Sequence, residues 1–323
     1  MTSTNGKSGN FITRLFHHNK RKSEEKVSTT APAAPVASAE STKPTETKTM
    51  SKPTLYVFGG SVWASAPGLA LIELKYTPEL VEEKVVNLLE GDNFEPEFLR
   101  INISATLPTL TTGEKTYTST VDCVEWLVLH APTPGVKSAH QDAITAVHRE
   151  NIDPNFSLLS ARTPEELKAK RESVPGLFVR QRQAKLEKLA PQSPEDLKKF
   201  YEDKLAFNGF LSSVYADEPA AEVTSGWFDK SNQHWSDVKA FISTELATLL
   251  PESGFVDGEA PGEADFHIAA WLARTAGVTG AKPDDVSPLG EALGLTLDPK
   301  IVAYFDAWKA RESWKKMYAE GLH

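Results

Sequence analysis

Residues 102–120, NISATLPTLTTGEKTYTST, govern how the rest of the chain is read. Thr106 to Thr111 is β-rich, yet Pro108 stands in its middle, where a residue without an amide proton cannot serve an interior ladder. A second β-rich run, Lys115 to Thr118, follows the turn Thr112-Gly113-Glu114, so the two read as a hairpin. A proline at the start of one strand predicts a cis bond at Leu107-Pro108 and a bend that offers the Leu107 backbone groups to a ligand. Ser119 and Thr120 then precede Val121, Val124, Leu127 and Val128, which recur at helical spacing. Both hydroxyls therefore fall at a helix start, where free amides and the helix dipole favour an anion.

Upstream, Leu55 to Phe58 is a short apolar run closed by Gly59-Gly60, which predicts a buried strand and a tight turn. Residues 61–76, SVWASAPGLALIELKY, read as loop and helix, with Leu69, Ile72 and Leu74 at helical spacing. Pro67 is tolerated only in a first turn, which predicts a helix start near Ser65. Val81 to Leu89 reads as a second strand and Glu95 to Ile101 as a short helix. The predicted order is strand, helix, strand, helix, strand, strand, helix.

This order, with Leu107-Pro108 and a hydroxyl pair at a helix start, resembles the thioredoxin-like amino-terminal domain of the cytosolic glutathione transferases, in a divergent, serine-containing, fungal-type form. The resemblance implies that Leu107 pairs with the glutathione backbone beside the cis-proline Pro108, both lining the glutathione site, and that Ser119 and Thr120 replace the family's acidic-Ser pair in holding the γ-glutamyl end. Counting back from Ile72-Glu73-Leu74, which resembles the family's helix-ending Leu-Glu-Leu, puts the catalytic hydroxyl at Ser61. Proline, which usually follows that serine, is displaced to Pro67, so Ser65 competes for the role. A thiol titrates near 8.5 and only its thiolate attacks. One hydroxyl donor beside the amides of a helix start stabilises that thiolate without a base. Tyr56 lies within the first strand and reads as packing. Cys123 lies among Val124 and Leu127 and reads as a small buried hydrophobe, which disfavours a cysteine-type enzyme.

Pro132 and Pro134-Gly135 mark a boundary between a glutathione-binding domain over 53–131 and an all-helical domain over 135–323. Leu197, Tyr201 and Leu205 keep helical spacing; so do Trp235, Val238, Ile242, Leu246 and Leu249, and Ile301, Tyr304, Phe305 and Trp308. Such amphipathic helices pack as a bundle. Residues 254–276, GFVDGEAPGEADFHIAAWLARTA, carry a second resemblance to the same family, a glycine-rich loop leading to a capped, buried helix. Asp265 matches the Asp that reaches back to the cap, and Gly262 stands where a hydroxyl is expected, so the box has one side-chain partner and a folding role. Residues 139–195 read as helix with solvated faces.

The chain of 323 residues is 40% hydrophobic and 9% aromatic, enough for a substantial core, and carries a formal net charge of −9, which argues against a nucleic-acid surface. No run is long and apolar enough to predict a membrane span. One cysteine excludes an intramolecular disulfide and a cysteine-rich metal site. His140, His148, His234 and His267 lack a metal-ligand repeat, and there is no nucleotide or hydrolase motif, so no metal is expected. Residues 1–52 are rich in Ser, Thr, Ala, Pro and Lys and read as a disordered tail; the basic start resembles a mitochondrial transit peptide, with a solvated basic tail as the plain alternative. The expectation is a cytoplasmic, homodimeric glutathione transferase with a small apolar electrophile as second substrate and a detoxifying role. A binding or regulatory scaffold that has kept the fold and lost the chemistry is the alternative, and a tail-driven interactor a third.

Overall fold

The computed structural model describes residues 52–323; the tail and targeting expectations fall outside them. Four strands form one mixed sheet in the order β2-β1-β3-β4: β1 (Thr54–Val57), β2 (Glu82–Val85), β3 (Thr109–Thr111) and β4 (Thr116–Tyr117). β1 is parallel to β2, with Thr54 opposite Glu82, and antiparallel to β3, with Tyr56 opposite Thr109. β3 and β4 form the predicted hairpin, Leu110 opposite Tyr117. Its turn closes through Thr112 N–H to Lys115 O at 3.0 Å, with Gly113 at φ +80°. This residue sits in the left-handed region that costs glycine least. Pro108 stands just before β3, and the Leu107-Pro108 peptide is cis as predicted.

β2 is shorter than the predicted Val81 to Leu89. Its charged side chains and Val85 face outward on the sheet edge, and Val86 N–H makes a last bond to Val57 O at 2.9 Å. Asn87 Oδ1 then accepts from Leu89 N–H at 3.0 Å and from Glu90 N–H at 3.3 Å, which turns the chain away from the ladder.

The first helix, α1, spans Val62–Glu73 and begins three residues before the predicted start at Ser65, with Pro67 inside it. Proline there removes one intrahelical donor, a cost of about 3 kcal/mol. Packing outweighs it: Val62 and every residue from Ala64 to Leu71 are buried, and each large apolar side chain so covered contributes about 1.5–3 kcal/mol. The helix predicted over Glu95 to Ile101 is realised as α2 (Pro96–Leu99), with proline at its first position. α3 (Thr120–Leu129) starts where predicted. This mixed sheet with its helices has the thioredoxin-like arrangement.

All-helical structure follows: α4 (Gln141–Val147), α5 (Pro154–Leu159), α6 (Pro164–Arg171), α7 (Val174–Leu189), α8 (Lys198–Val214) and α9 (Ala221–Phe241), the last extended by a π-turn over Ile242–Leu246. α10 (Glu263–Gly277), α11 (Ser287–Leu293), α12 (Pro299–Lys309) and α13 (Glu312–Met317) complete it. Tyr201, Trp235, Val238, Ile242, Leu246, Ile301, Tyr304, Phe305 and Trp308 are buried, as their spacing predicts. α10 is buried on every face from Glu263 to Ala276 and packs against α1, α3, α4, α5 and α11.

The start of α10 corrects one expectation. Asp265 does reach back, its Oδ2 accepting from Gly262 N–H at 3.0 Å and Asp257 N–H at 3.1 Å, its Oδ1 from Val256 N–H at 2.8 Å and the Tyr304 hydroxyl at 3.0 Å. Burial pushes its pKa up to about 6, against the pull of those amides. The box nevertheless has a second side-chain partner. Asp257 Oδ2 accepts from Ala264 N–H at 2.9 Å, capping the helix from the preceding loop. A side chain on residue 262 would place its Cβ 2.5 Å from the Asp257 Cβ, so glycine there makes room for the substitute cap.

Candidate functional site

The sheet topology gathers the predicted site residues at one end. β1 runs toward Ser61, β3 begins at that same end after Pro108, and β4, antiparallel to β3, returns there to Ser119.

The turn Phe58-Gly59-Gly60-Ser61 closes through Ser61 N–H to Phe58 O at 2.9 Å and delivers Ser61 to the N-cap of α1. Its carbonyl takes the Ala64 and Ser65 amides at 3.1 and 3.2 Å. Its hydroxyl makes no capping bond and its side chain is partly exposed. Ser65 differs: it is buried, and its hydroxyl donates to Ser61 O at 3.2 Å. Tyr56 packs edge-on against Phe98, ring centres 5.7 Å apart. Cys123 is buried, and desolvation pushes its thiol well above the ordinary range.

Before β3, Asn102 Nδ2 donates to Thr109 Oγ1 at 2.9 Å and to Thr106 O at 3.1 Å, fixing the approach to Pro108. Among the described residues none is hydrogen-bonded to the Leu107 N–H or C=O. Ser119 is the N-cap of α3; its Oγ accepts from Asp122 N–H at 3.0 Å, which leaves the hydroxyl proton to donate elsewhere. Thr120 is the first helical residue and is buried. The structure thus brings Ser61, Leu107, Pro108, Ser119 and Thr120 to one end of the sheet, with Ser65 turned inward.

Three further features border this end and escape a reading of the sequence. Arg274, in the last turn of α10, donates from Nη2 to Gly60 O at 2.6 Å while almost fully buried. Trp63, in the first turn of α1, stacks on His148 at 3.9 Å, and His148 Nε2 lies 2.9 Å from His267 Nδ1. Burial and the neighbouring His148 hold His267 well below the usual histidine range. Asp122 places a carboxylate in the first turn of α3. The first two were not legible, because their contacts join segments more than eighty positions apart and Arg274 and His267 occupy positions of an apolar helical pattern; Asp122 stands beside the hydroxyl pair and was passed over.

Two surface clefts lie away from Ser61. One of about 390 Å³ is lined by Glu95, Pro96, Arg100, Leu189 and Gln192 among others, and one of about 240 Å³ by His140, Leu249 and Val256 among others. Among the described residues no group of three or more His, Cys, Asp or Glu is placed to hold a metal, and no helix is long and apolar enough to cross a membrane.

No family model matches the sequence, and no curated protein matches it. Solved structures do. Glutathione transferase E6 from Drosophila melanogaster aligns over 84% of this chain and 93% of its own at 15% identity, TM-score 0.46. Gtt2 from Saccharomyces cerevisiae aligns over 82% and 99% at 16% identity, TM-score 0.42. A glutathione transferase homologue from Lodderomyces elongisporus aligns over 82% and 97% at 12% identity, TM-score 0.42.

Proposed function

We propose that the protein binds glutathione at this end of the sheet and transfers it to a small apolar electrophile, with the Ser61 hydroxyl donating to the glutathione sulfur. The observation that carries this reading is the contrast between two serines of one helix turn. Ser65 spends its proton on a backbone carbonyl, whereas Ser61 stands at the N-cap with its hydroxyl uncommitted.

The remaining residues fit the tripeptide by the chemistry of their free groups. The Leu107 N–H and C=O pair with an extended peptide backbone beside Pro108. The Ser119 hydroxyl proton and the Thr120 amide at the start of α3 donate to a carboxylate, and Asp122 in the same turn offers an anion to an ammonium group on that end of the ligand. The thiol proton leaves to solvent, the Ser61 hydroxyl and the first amides of α1 stabilise the sulfur anion, and the sulfur forms a bond to an electrophilic carbon. Addition leaves the pair of electrons on that substrate, and substitution expels a leaving group with them. The same reading takes 53–131 as the glutathione domain and 135–323 as the helical domain of a cytoplasmic homodimer.

Calorimetric titration of the full chain with glutathione, beside an ultraviolet pH titration of the bound thiol, tests it. The expected result is binding with a thiol pKa below the free value in the parent and near it in Ser61→Ala. Absence of binding at millimolar glutathione overturns the transferase reading and leaves a binding scaffold.

A further inference from the structure

Arg274 is an unusual occupant of its position. It lies near the end of a helix whose every face is buried, and only 4% of its surface is exposed. One nitrogen, Nη2, donates to Gly60 O; Nε is buried without a partner. Among the described residues no carboxylate forms an ion pair with it. The titratable groups that face it are Asp153 at the start of α5, Tyr318 after α13 and His323 in the terminal segment, and the charges of Asp153 and Tyr318 favour its protonated form. Tyr318 is buried, and its hydroxyl faces Ser65. Tyr318 and His323 are themselves in ring contact, 5.0 Å between centres, and Leu322 packs against Gly277, so the terminal segment keeps water from the guanidinium. An isolated cation in such a place costs several kcal/mol unless an anion faces it.

The carbonyl that Arg274 holds belongs to the peptide joining Gly60 to Ser61. Fixing it orients the N-cap whose hydroxyl and amides face a ligand, and the fixed charge adds to the positive end of α1. We propose that Arg274 is a positioning residue for the Ser61 site, anchoring the Gly60-Ser61 peptide and supplying the positive potential against which a sulfur anion is held there. The proposal rests on the glutathione reading for the identity of that anion; the potential itself belongs to the protein and is measurable without glutathione.

The probe is the thiol of Ser61→Cys in the full chain, titrated by the pH dependence of its alkylation with iodoacetamide; buried Cys123 is silent in the folded protein. A unit charge about one peptide away at the effective dielectric of a protein shifts a thiol by about one pKa unit, or about tenfold in thiolate. The expected result is a thiol pKa about one unit below the ordinary value, rising by about that amount when Arg274→Gln is added, which removes the charge and keeps a donor for Gly60 O. Arg274→Lys is expected to restore part of the depression. An unchanged pKa in folded Arg274→Gln overturns the proposal. If neither Arg274 variant folds, Ser119→Cys in an Asp122→Asn background is the control, because it too lies at a helix N-cap, has no guanidinium bonded to its preceding peptide and is then free of the first-turn carboxylate. The Ser61→Cys thiol is then expected to titrate below the Ser119→Cys thiol, and equal values overturn the proposal. Glutathione that fails to bind removes the transferase reading while this titration still decides the role of Arg274.

Discussion

The Ser65 hydroxyl donates to the Ser61 carbonyl at 3.2 Å, so the inner of the two serines is committed to the backbone of the outer. The pair is therefore separable by substitution. Ser61→Ala is expected to return the bound glutathione thiol toward its free pKa and to lower transfer near neutral pH by about ten- to a hundredfold, in line with the loss of one charge-assisted hydrogen bond. Ser65→Ala is expected to leave that pKa unchanged and to cost about 1 kcal/mol in urea unfolding.

Asp257 and Gly262 form a second separable pair. Gly262→Ser is expected to destabilise the protein by about 2 kcal/mol through the close approach to Asp257, and Asp257→Ala by about 1–2 kcal/mol through loss of the cap. The double variant gains space for the serine hydroxyl to cap the helix instead. Its cost is expected to fall below the sum by about 1 kcal/mol or more, read from urea midpoints.

His234 sets an acid limit. Its Nδ1 lies 3.0 Å from Asn151 O, which only accepts, so Nδ1 donates and Nε2 accepts from the Ser157 hydroxyl at 2.7 Å. Burial lowers its pKa from 6.5 to about 4. The unfolded chain then binds the extra proton between these values, so this contribution is complete above 6.5 and is lost as pH falls toward 4, by about 2 kcal/mol between pH 7 and pH 5. Asp265 acts oppositely: raised to about 6 when folded, it makes stability fall as pH rises from about 4 to 6. His234→Asn keeps a donor for Asn151 and is expected to flatten the acid loss in urea unfolding at pH 5 and 7.

Cys123 is expected to resist a thiol reagent such as dithionitrobenzoate in the folded protein and to react fully in denaturant. Fast labelling under native conditions contradicts its burial against Val124 and Leu127.

The readable parts of the fold were those encoded within a few residues. The Gly113 turn, Pro108 ahead of β3 and the Ser119 cap each depend on local chemistry. The α1 start was misplaced because the proline rule is local, whereas burial of Val62 and Ala64 through Leu71 is tertiary and outweighs it. Gly262 read as a missing cap because Asp257, five positions upstream, substitutes through a loop shape that no spacing announces. In the site, Ser61 could be counted to from Ile72-Glu73-Leu74, but its distinction from Ser65 required knowing which one turns inward. Arg274 and Gly60 stand 214 positions apart, and no periodicity relates them.

The burial of α10 on all sides has a consequence for how the protein comes apart. α1 and α3 of the sheet-bearing part and α4, α5 and α11 of the helical part all lean on the same rod. Neither part can shed it without exposing its own interior, so a calorimetric scan of the full chain is expected to show one cooperative melting transition, as though the chain beyond residue 52 were a single melting unit.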